Sequence, residues 1–463
     1  MKFEDLKTQF DKMSAAHGYV DYDTRIQRLK TLERILTDNQ DALVKAMSDD
    51  FSHRSADEAR AADITITIGD IRQNIRKLKK WMKPRRTGVP KHFLPAKGRV
   101  IPQALGVVGV IAPWNFPIYL SISPAAAALA AGNQVMLKPS EITPRTSQLL
   151  HNLITETFEP EVFSVVLGDA KVGEAFSQIP FHHLFFTGST QVGRFVAIAA
   201  AKNLTPVTLE LGGKSPAIIG EHANLKRAAE RIAFGKTANA GQICVSPDYA
   251  LVPRAQLSEF VALFKKQIIR FFPNFVGNPD YTCIVSEKHQ ARIKDLISEA
   301  ERNGEEVFRF EDTSQTGRCE PPVIIIDPSE ENRFMREEIF GPILPIIPYD
   351  SIEDAKAYVA ARPSPLALYI FSDDKDEQND WLQNSLSGGV CVNETVFHVT
   401  ADSLPFGGVG ASGMGAYHGE KGFETFSHMK SVLFQSKING MFLFNPPSSK
   451  FKRLVARLLQ KII

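Results

Sequence analysis

The sequence predicts an α/β fold in which parallel sheets are covered by helices on both faces. Short apolar runs alternate with helical segments from residue 105 to about 201, and the alternation restarts after residue 213. Strands buried on both faces read as continuous apolar runs, and helices inserted between them supply the crossovers that parallel strands need. A chain of 463 residues is long enough for two such units.

Residues 22–84 come first and read as helical: Ile26, Leu29, Leu32, Ile35 and Leu36 fall near one face at helical spacing. "KPRRTGVP" (83–90) is a basic, proline-bearing break, read as a solvated loop rather than an anion site. The first alternating unit follows. "LGVVGVIA" (105–112), "QVMLKP" (134–139), "FSVVLG" (163–168) and "HHLFFTG" (182–188) are its strands. Helices are expected at about 120–131, 144–157, 171–178 and 189–201. After "PVTLELGG" (206–213) come a strand near 215–220, a helix at 222–239, "YALV" (249–252), a helix at 255–271, and the strands "PPVIIID" (321–327) and "LALYIFS" (366–372). Ligands of such sheets bind beyond the carboxyl ends of the strands.

Composition narrows the function classes. A net charge of +2 makes no electrostatic case for nucleic acid. The charged N-terminus "MKFEDLKTQFDKM" is no secretory signal. "LSISPAAAALAAGNQVML" (120–137) is broken by Pro124, Gly132, Asn133 and Gln134, which argues against a membrane span. Cys244, Cys283, Cys319 and Cys391 lie far apart, with poor spacing for zinc and too few for a disulfide scaffold; a reduced, cytoplasmic setting is expected, with no metal.

"GVGASG" (408–413) matches a dinucleotide fingerprint in letters only. It lacks the strand before, the helix after and the acidic residue about 20 positions on, so a flexible loop is the reading. "FTGSTQVGR" (186–194) is a better phosphate candidate, because a helix opening at Ser189 presents unpaired amides; helix capping alone would also account for Gly-Ser there.

Six segments then fall together: "PWNFP" (113–117), "LKPSE" (137–141), "LELGGKSP" (209–216), "GQICVSPD" (241–248), "EEIFGP" (337–342) and "LPFGGVGASGMG" (404–415). In order and wording the chain resembles the aldehyde dehydrogenase superfamily from about residue 20 to 435. Within it the chain is most similar to the class 3-like branch and to its bacterial coniferyl-aldehyde dehydrogenase-like members. The resemblance implies a Rossmann-type cofactor domain at 1–207, with an oligomerisation arm near 85–104. It further implies a catalytic domain at 208–395 and a return segment, oligomerisation strand and tail at 396–463.

It also implies NAD(P)-dependent oxidation of an aldehyde to its acid. A thiolate adds to the carbonyl, hydride departs, and a thioester remains for water to hydrolyse, so that covalent catalysis splits one hard step into two. Cys244 matches the family's nucleophile, whereas Cys283, Cys319 and Cys391 read as core. Glu210 matches the general base; its alternative is a structural carboxylate. Asn115 matches the oxyanion donor; its alternative is a turn residue before Pro117. Lys138 and Glu141 match residues on the adenosine ribose, where a carboxylate favours NAD over NADP. Gly188 and Ser189 match the pyrophosphate turn, and Glu338 and Phe340 the nicotinamide contacts. Lys214 and Pro216 are read as structural. Tyr119, Phe397 and His398 fall on the family's substrate funnel, whose apolar, aromatic walls suit aromatic or medium-to-long aliphatic aldehydes.

A homodimer is expected by analogy, since the chain lacks the longer N-terminal region and C-terminal extension of tetrameric relatives. The tail "KFKRLVARLLQKII" (450–463) spaces apolar residues helically among five basic residues and no acid. Packing on protein is the favoured reading, and an anionic membrane surface the other. Three rival functions are transfer of the thioester to coenzyme A, a cysteine hydrolase, and a non-catalytic member kept for binding at a membrane. Intact Glu210 and Cys244 argue against the first and third, and the hydrolase leaves Glu210, Lys138 and the Gly188 turn without a reason.

Overall fold

The computed structural model describes residues 2–275, 277–310, 317–443 and 445–459. Its core is a pair of α/β units, each built on a largely parallel sheet.

The first sheet has six strands in the order Gly413–Met414, Val207–Glu210, His183–Thr187, Val107–Ile111, Gln134–Lys138, Phe163–Val165. All pair in parallel except the short return strand Gly413–Met414. The chain runs outward from Val107–Ile111 and then returns to the other side of it at His183–Thr187. That reversal opens a crevice beyond the carboxyl ends of these two strands, where residues 112–115 and 188–189 emerge.

The helix Tyr119–Ala130 fills the space behind this sheet. Every residue in it is buried, which explains the apolar run without a membrane. Its alanines allow close approach by the amphipathic helices Tyr22–Asp38 and Ile66–Trp81, whose buried faces include Leu29, Leu32, Ile71 and Leu78. Its first turn is met by the buried carboxylate of Asp63, which accepts from the Tyr119 amide at 2.6 Å and pairs with buried Arg54 at 3.3 Å. Among the described residues no helix is long and apolar enough to cross a membrane.

The second sheet has seven strands in the order Glu306–Arg309, Val323–Ile326, Ile343–Tyr349, Tyr249–Pro253, Pro216–Ile219, Ala367–Phe371, Gly389–Val392, antiparallel only at Glu306–Arg309. A separate antiparallel sheet joins Arg85–Thr87, Lys97–Ala104 and Ser427–Phe434.

Two expectations change. The domain boundary at 207/208 cuts through the strand Val207–Glu210, which pairs with His183–Thr187 and so belongs to the first sheet. The crossing falls at Gly212–Gly213, where main chain must run close to other groups: a Cβ at Gly212 would overlap the Glu338 carboxylate. The basic break at 83–90 is not a free loop either. It contains the strand Arg85–Thr87, and Arg85 pairs with Glu424 at 2.6 Å and Glu420 at 2.9 Å on the helix Gly419–Thr425. The far tail, residues 460–463, lies outside the described residues; Lys450–Leu459 is helical, with Phe451 and Leu454 exposed.

Candidate active site

Two cavities meet at one thiol. The first, about 980 Å³, lies in the crevice of the six-stranded sheet. Asn115, Gly188, Ser189, Glu210, Cys244, Glu338 and Phe340 line it together. The second, about 720 Å³, is walled by Phe116, Tyr119, Phe234, Ile243, Phe397, Phe406 and Tyr417. Cys244 lines both.

The segment before Cys244 is wound tightly. Asn239, Ala240 and Gly241 have φ of 47°, 52° and 71°, a left-handed run that costs L-residues free energy. Gly241 is needed there, because a Cβ would overlap the Gly341 carbonyl. Side chains hold the run in place. Asn239 Nδ2 donates to the carbonyls of Asn115 and Gln242, each at 3.1 Å. Gln242 Nε2 donates to Asn239 O at 2.9 Å and Cys283 O at 3.1 Å, and its Oε1 accepts from the Val285 amide at 3.0 Å. Asn115 Nδ2 donates to Gln242 O at 3.1 Å, which aims its amide group at the cysteine segment.

Glu210 ends its strand beside this segment. Both carboxylate oxygens are buried without a hydrogen-bond partner. Burial pushes its carboxyl well above the usual carboxylate range, because desolvation disfavours the charged form. Its main-chain carbonyl accepts from the Gly188 amide at 3.0 Å, which ties the base candidate to the glycine turn. Burial, with Glu338 and Glu210 nearby, pushes the Cys244 thiol up to about 12. Glu338 is raised to about 8, by burial first and then by Asp248.

The first cavity suits a dinucleotide. Its volume is at the upper end of ligand pockets. The helix Thr190–Ala201 opens onto it, with the Ser189 hydroxyl accepting from the Val192 amide at 3.4 Å as N-cap. Thr187 Oγ1 and both Glu210 oxygens are buried polar atoms with nothing to bond, as expected where a ligand supplies the partner. Phe340 sits at φ 48° with its ring edge-on to Trp114 at 5.3 Å. Lys138 and Glu141 pair with each other at 2.7 Å and stand off the cavity wall.

The model of the aldehyde dehydrogenase family matches residues 6–432. The chain belongs to the aldehyde dehydrogenase family. It is 49% identical over 98% of its length to a probable coniferyl aldehyde dehydrogenase of Pseudomonas aeruginosa, of which it covers 96%. It is 44% identical over 94% to a coniferyl aldehyde dehydrogenase of a Pseudomonas species, of which it covers 92%. A solved structure of Staphylococcus aureus AldH in a substrate-bound state superposes with a TM-score of 0.93, at 37% identity, covering 98% of this chain and 99% of that one. The protein is an NAD(P)-dependent aldehyde dehydrogenase, oxidising an aldehyde to the acid.

Three sequence readings need amendment against this aldehyde dehydrogenase fold. His398 is not among the residues that wall the apolar cavity: its ring packs among Tyr369, Phe406 and Gly389. Cys283 and Cys319 are core residues as read, but not separate ones: their Cα atoms lie 4.0 Å apart. They are 36 residues apart, but 281–285 runs beside 318–320, with Ile284 N donating to Arg318 O at 2.8 Å and Tyr281 Oη to Glu320 O at 2.6 Å. Cys244 and Cys391 remain free. Lys214 is more than a structural residue on a turn, since it lines the first cavity. The sequence reading also missed Asn239, Gln242, Thr187 and Asp248. Gln242 and Asp248 lie inside "GQICVSPD" and Thr187 inside "FTGSTQVGR", whereas Asn239 lies outside every quoted segment.

Proposed function

We propose that Cys244 attacks the aldehyde, that Asn115 and the Cys244 amide hold the oxyanion, and that Glu210 activates the hydrolytic water. The observation that carries this reading is that Cys244 alone of the cysteines lines both cavities, with Asn115 and Glu210 at the same wall. As the C–S bond forms, the carbonyl electron pair moves onto oxygen, where the Asn115 amide stabilises it. A bound nicotinamide supplies the hydride acceptor. Glu210, once ionised, takes a proton from water as the water adds to the thioester carbon, and the C–S bond breaks to return the thiolate. Burial disfavours both the Cys244 thiolate and the Glu210 carboxylate, so turnover is expected to rise with pH.

The cofactor reading follows. Gly188 and Ser189 would take the pyrophosphate, Glu338 and Phe340 the nicotinamide side, Lys138 and Glu141 the adenosine ribose. The Glu141 carboxylate, half-exposed and paired to Lys138, supports NAD over NADP through repulsion of a 2′-phosphate. Tyr119 and Phe397 support an aromatic aldehyde, and the names of the relatives point to coniferyl aldehyde; medium-to-long alkanals are second.

A homodimer acting in the cytoplasm completes the proposal. The exposed stripe Val192, Phe195 and Ile198 supports self-association, and a free catalytic thiol suits a reducing compartment. The basic helix Lys450–Leu459 supports weak contact with anionic lipid as a second reading.

The test is NADH absorbance with NAD and a panel of coniferyl aldehyde, benzaldehyde and a medium-chain alkanal, with Cys244→Ala alongside. Turnover by the wild type alone, fastest with the aromatic aldehydes, is expected. Turnover that requires coenzyme A would move the protein to the acylating class.

A further inference from the structure

The loop that brings Glu338 and Phe340 to the first cavity hangs on buried and half-buried charges that belong to other elements. Lys214 Nζ donates to the carbonyls of Phe334 at 2.7 Å and Glu337 at 3.1 Å, and pairs with Asp248. The other Asp248 oxygen accepts from the Ile339 amide at 2.9 Å. Arg292 donates to the carbonyls of Glu338, at 3.5 Å, and Ile339. Lys236, wholly buried, donates to Gly341 O at 3.2 Å. Three cations thus grip the carbonyls of one loop, and a single carboxylate takes its amide.

Asp248 has a second attachment. It lies four residues past Cys244, and its own amide donates to Ser215 O at 2.8 Å, next to Lys214. One ion pair, with side chains 10% and 4% exposed, therefore joins the cysteine segment, the turn after Glu210 and the nicotinamide-side loop. Stability is a poor reason for it, because a buried ion pair is often replaced by apolar groups at no loss. Placement is a better one. Phe340 follows Ile339 in a left-handed conformation that a phenylalanine adopts only when its surroundings hold it there.

We propose that Lys214 and Asp248 form a positioning clamp that sets Glu338 and Phe340 relative to the Cys244 thiol and so governs hydride departure. Neither touches the reacting atoms; both are positioning residues. The inference rests on the reading of Cys244 as the nucleophile and of the first cavity as the nicotinamide site.

Lys214→Met and Asp248→Asn test it, the latter keeping an acceptor for the Ile339 amide. Each is measured in three ways: single-turnover NADH formation at saturating NAD, the isotope effect with 1-deuterated aldehyde, and hydrolysis of 4-nitrophenyl acetate, which needs the thiol and no nicotinamide. The expected result is hydride formation slowed about 30-fold or more. The isotope effect on kcat should rise, with ester hydrolysis within about threefold of wild type. Equal losses in both reactions would reduce the pair to a folding element and overturn the clamp, as would unchanged hydride formation. Should Lys214→Met fail to fold, Asp248→Asn alone decides. A wild type inactive in both assays would instead overturn the reading of Cys244 itself.

Discussion

The two cavities that share Cys244 differ in their polar content. The first sets glycine turns, a helix opening, the Glu210 and Glu338 carboxyls and a loop gripped by Lys214, Arg292 and Lys236 among apolar groups such as Trp114, Leu120 and Phe340. The wall of the second is aromatic and aliphatic, with rings contributed by helix ends and loops far apart in the chain. A phosphate-rich cofactor has fixed geometry and needs directional donors, whereas an apolar aldehyde needs only a shaped, dry space. Cys244 and Leu120 line both, and of the two only the thiol is a nucleophile.

Removing that atom should break both halves of the reaction at once. Cys244→Ala is expected to cut aldehyde turnover by about 10⁴-fold or more, while binding of NAD, followed by fluorescence quenching, is retained because the rest of the first cavity is intact. Activity surviving the substitution would remove covalent catalysis from the account.

Asn115→Ala comes next, with a loss of about 100- to 1,000-fold in kcat. It acts at the junction, so the loss should be the same for aromatic and aliphatic aldehydes. A loss confined to one aldehyde class would make Asn115 part of the substrate wall instead.

The electrostatics of the junction give a pH test. With the thiol raised to about 12 by burial and the nearby carboxyls, the thiolate fraction of the free enzyme grows about tenfold per pH unit across pH 7–10. The rate of Cys244 alkylation by iodoacetamide, read by peptide mass, should follow that slope without levelling. A plateau near pH 8.5 would mean an unperturbed thiol.

The smallest effect belongs to the apolar wall. Phe397 stacks on Phe234 with ring centroids 5.4 Å apart. Phe397→Ala should raise KM for aromatic aldehydes about two- to tenfold and leave KM for NAD unchanged. A change in the NAD constant alone would reverse the assignment of the two cavities.

The same contrast decides what the sequence could tell. The first cavity was legible because its demands fall on short stretches: a carboxyl at a strand end and, two residues on, a glycine where main chain approaches. "LELGGKSP" and "FTGST" therefore stand out, and the strand alternation that builds the crevice reads directly from apolar runs. The second cavity makes weaker demands. Many apolar residues would fill each wall position, so Phe234 and Phe406 look like core in the sequence, and His398 looked like wall although it packs against Phe406 and is not among the wall residues. The clamp was invisible for another reason. Lys214 and Asp248 are 34 residues apart, and their partners lie on a loop about 90 residues further on, so only the fold brings them together. Cys283 and Cys319 are a similar case, brought together by two segments running side by side.

The most direct test of the thiol at the junction is a mass measurement. Glu210→Gln, mixed with NAD and an excess of benzaldehyde and quenched in acid, should release about one NADH per subunit. The peptide holding Cys244 should carry the added mass of a benzoyl group. NADH released with no adduct on that peptide would contradict the account, because hydride would then have left a substrate never bound to the thiol.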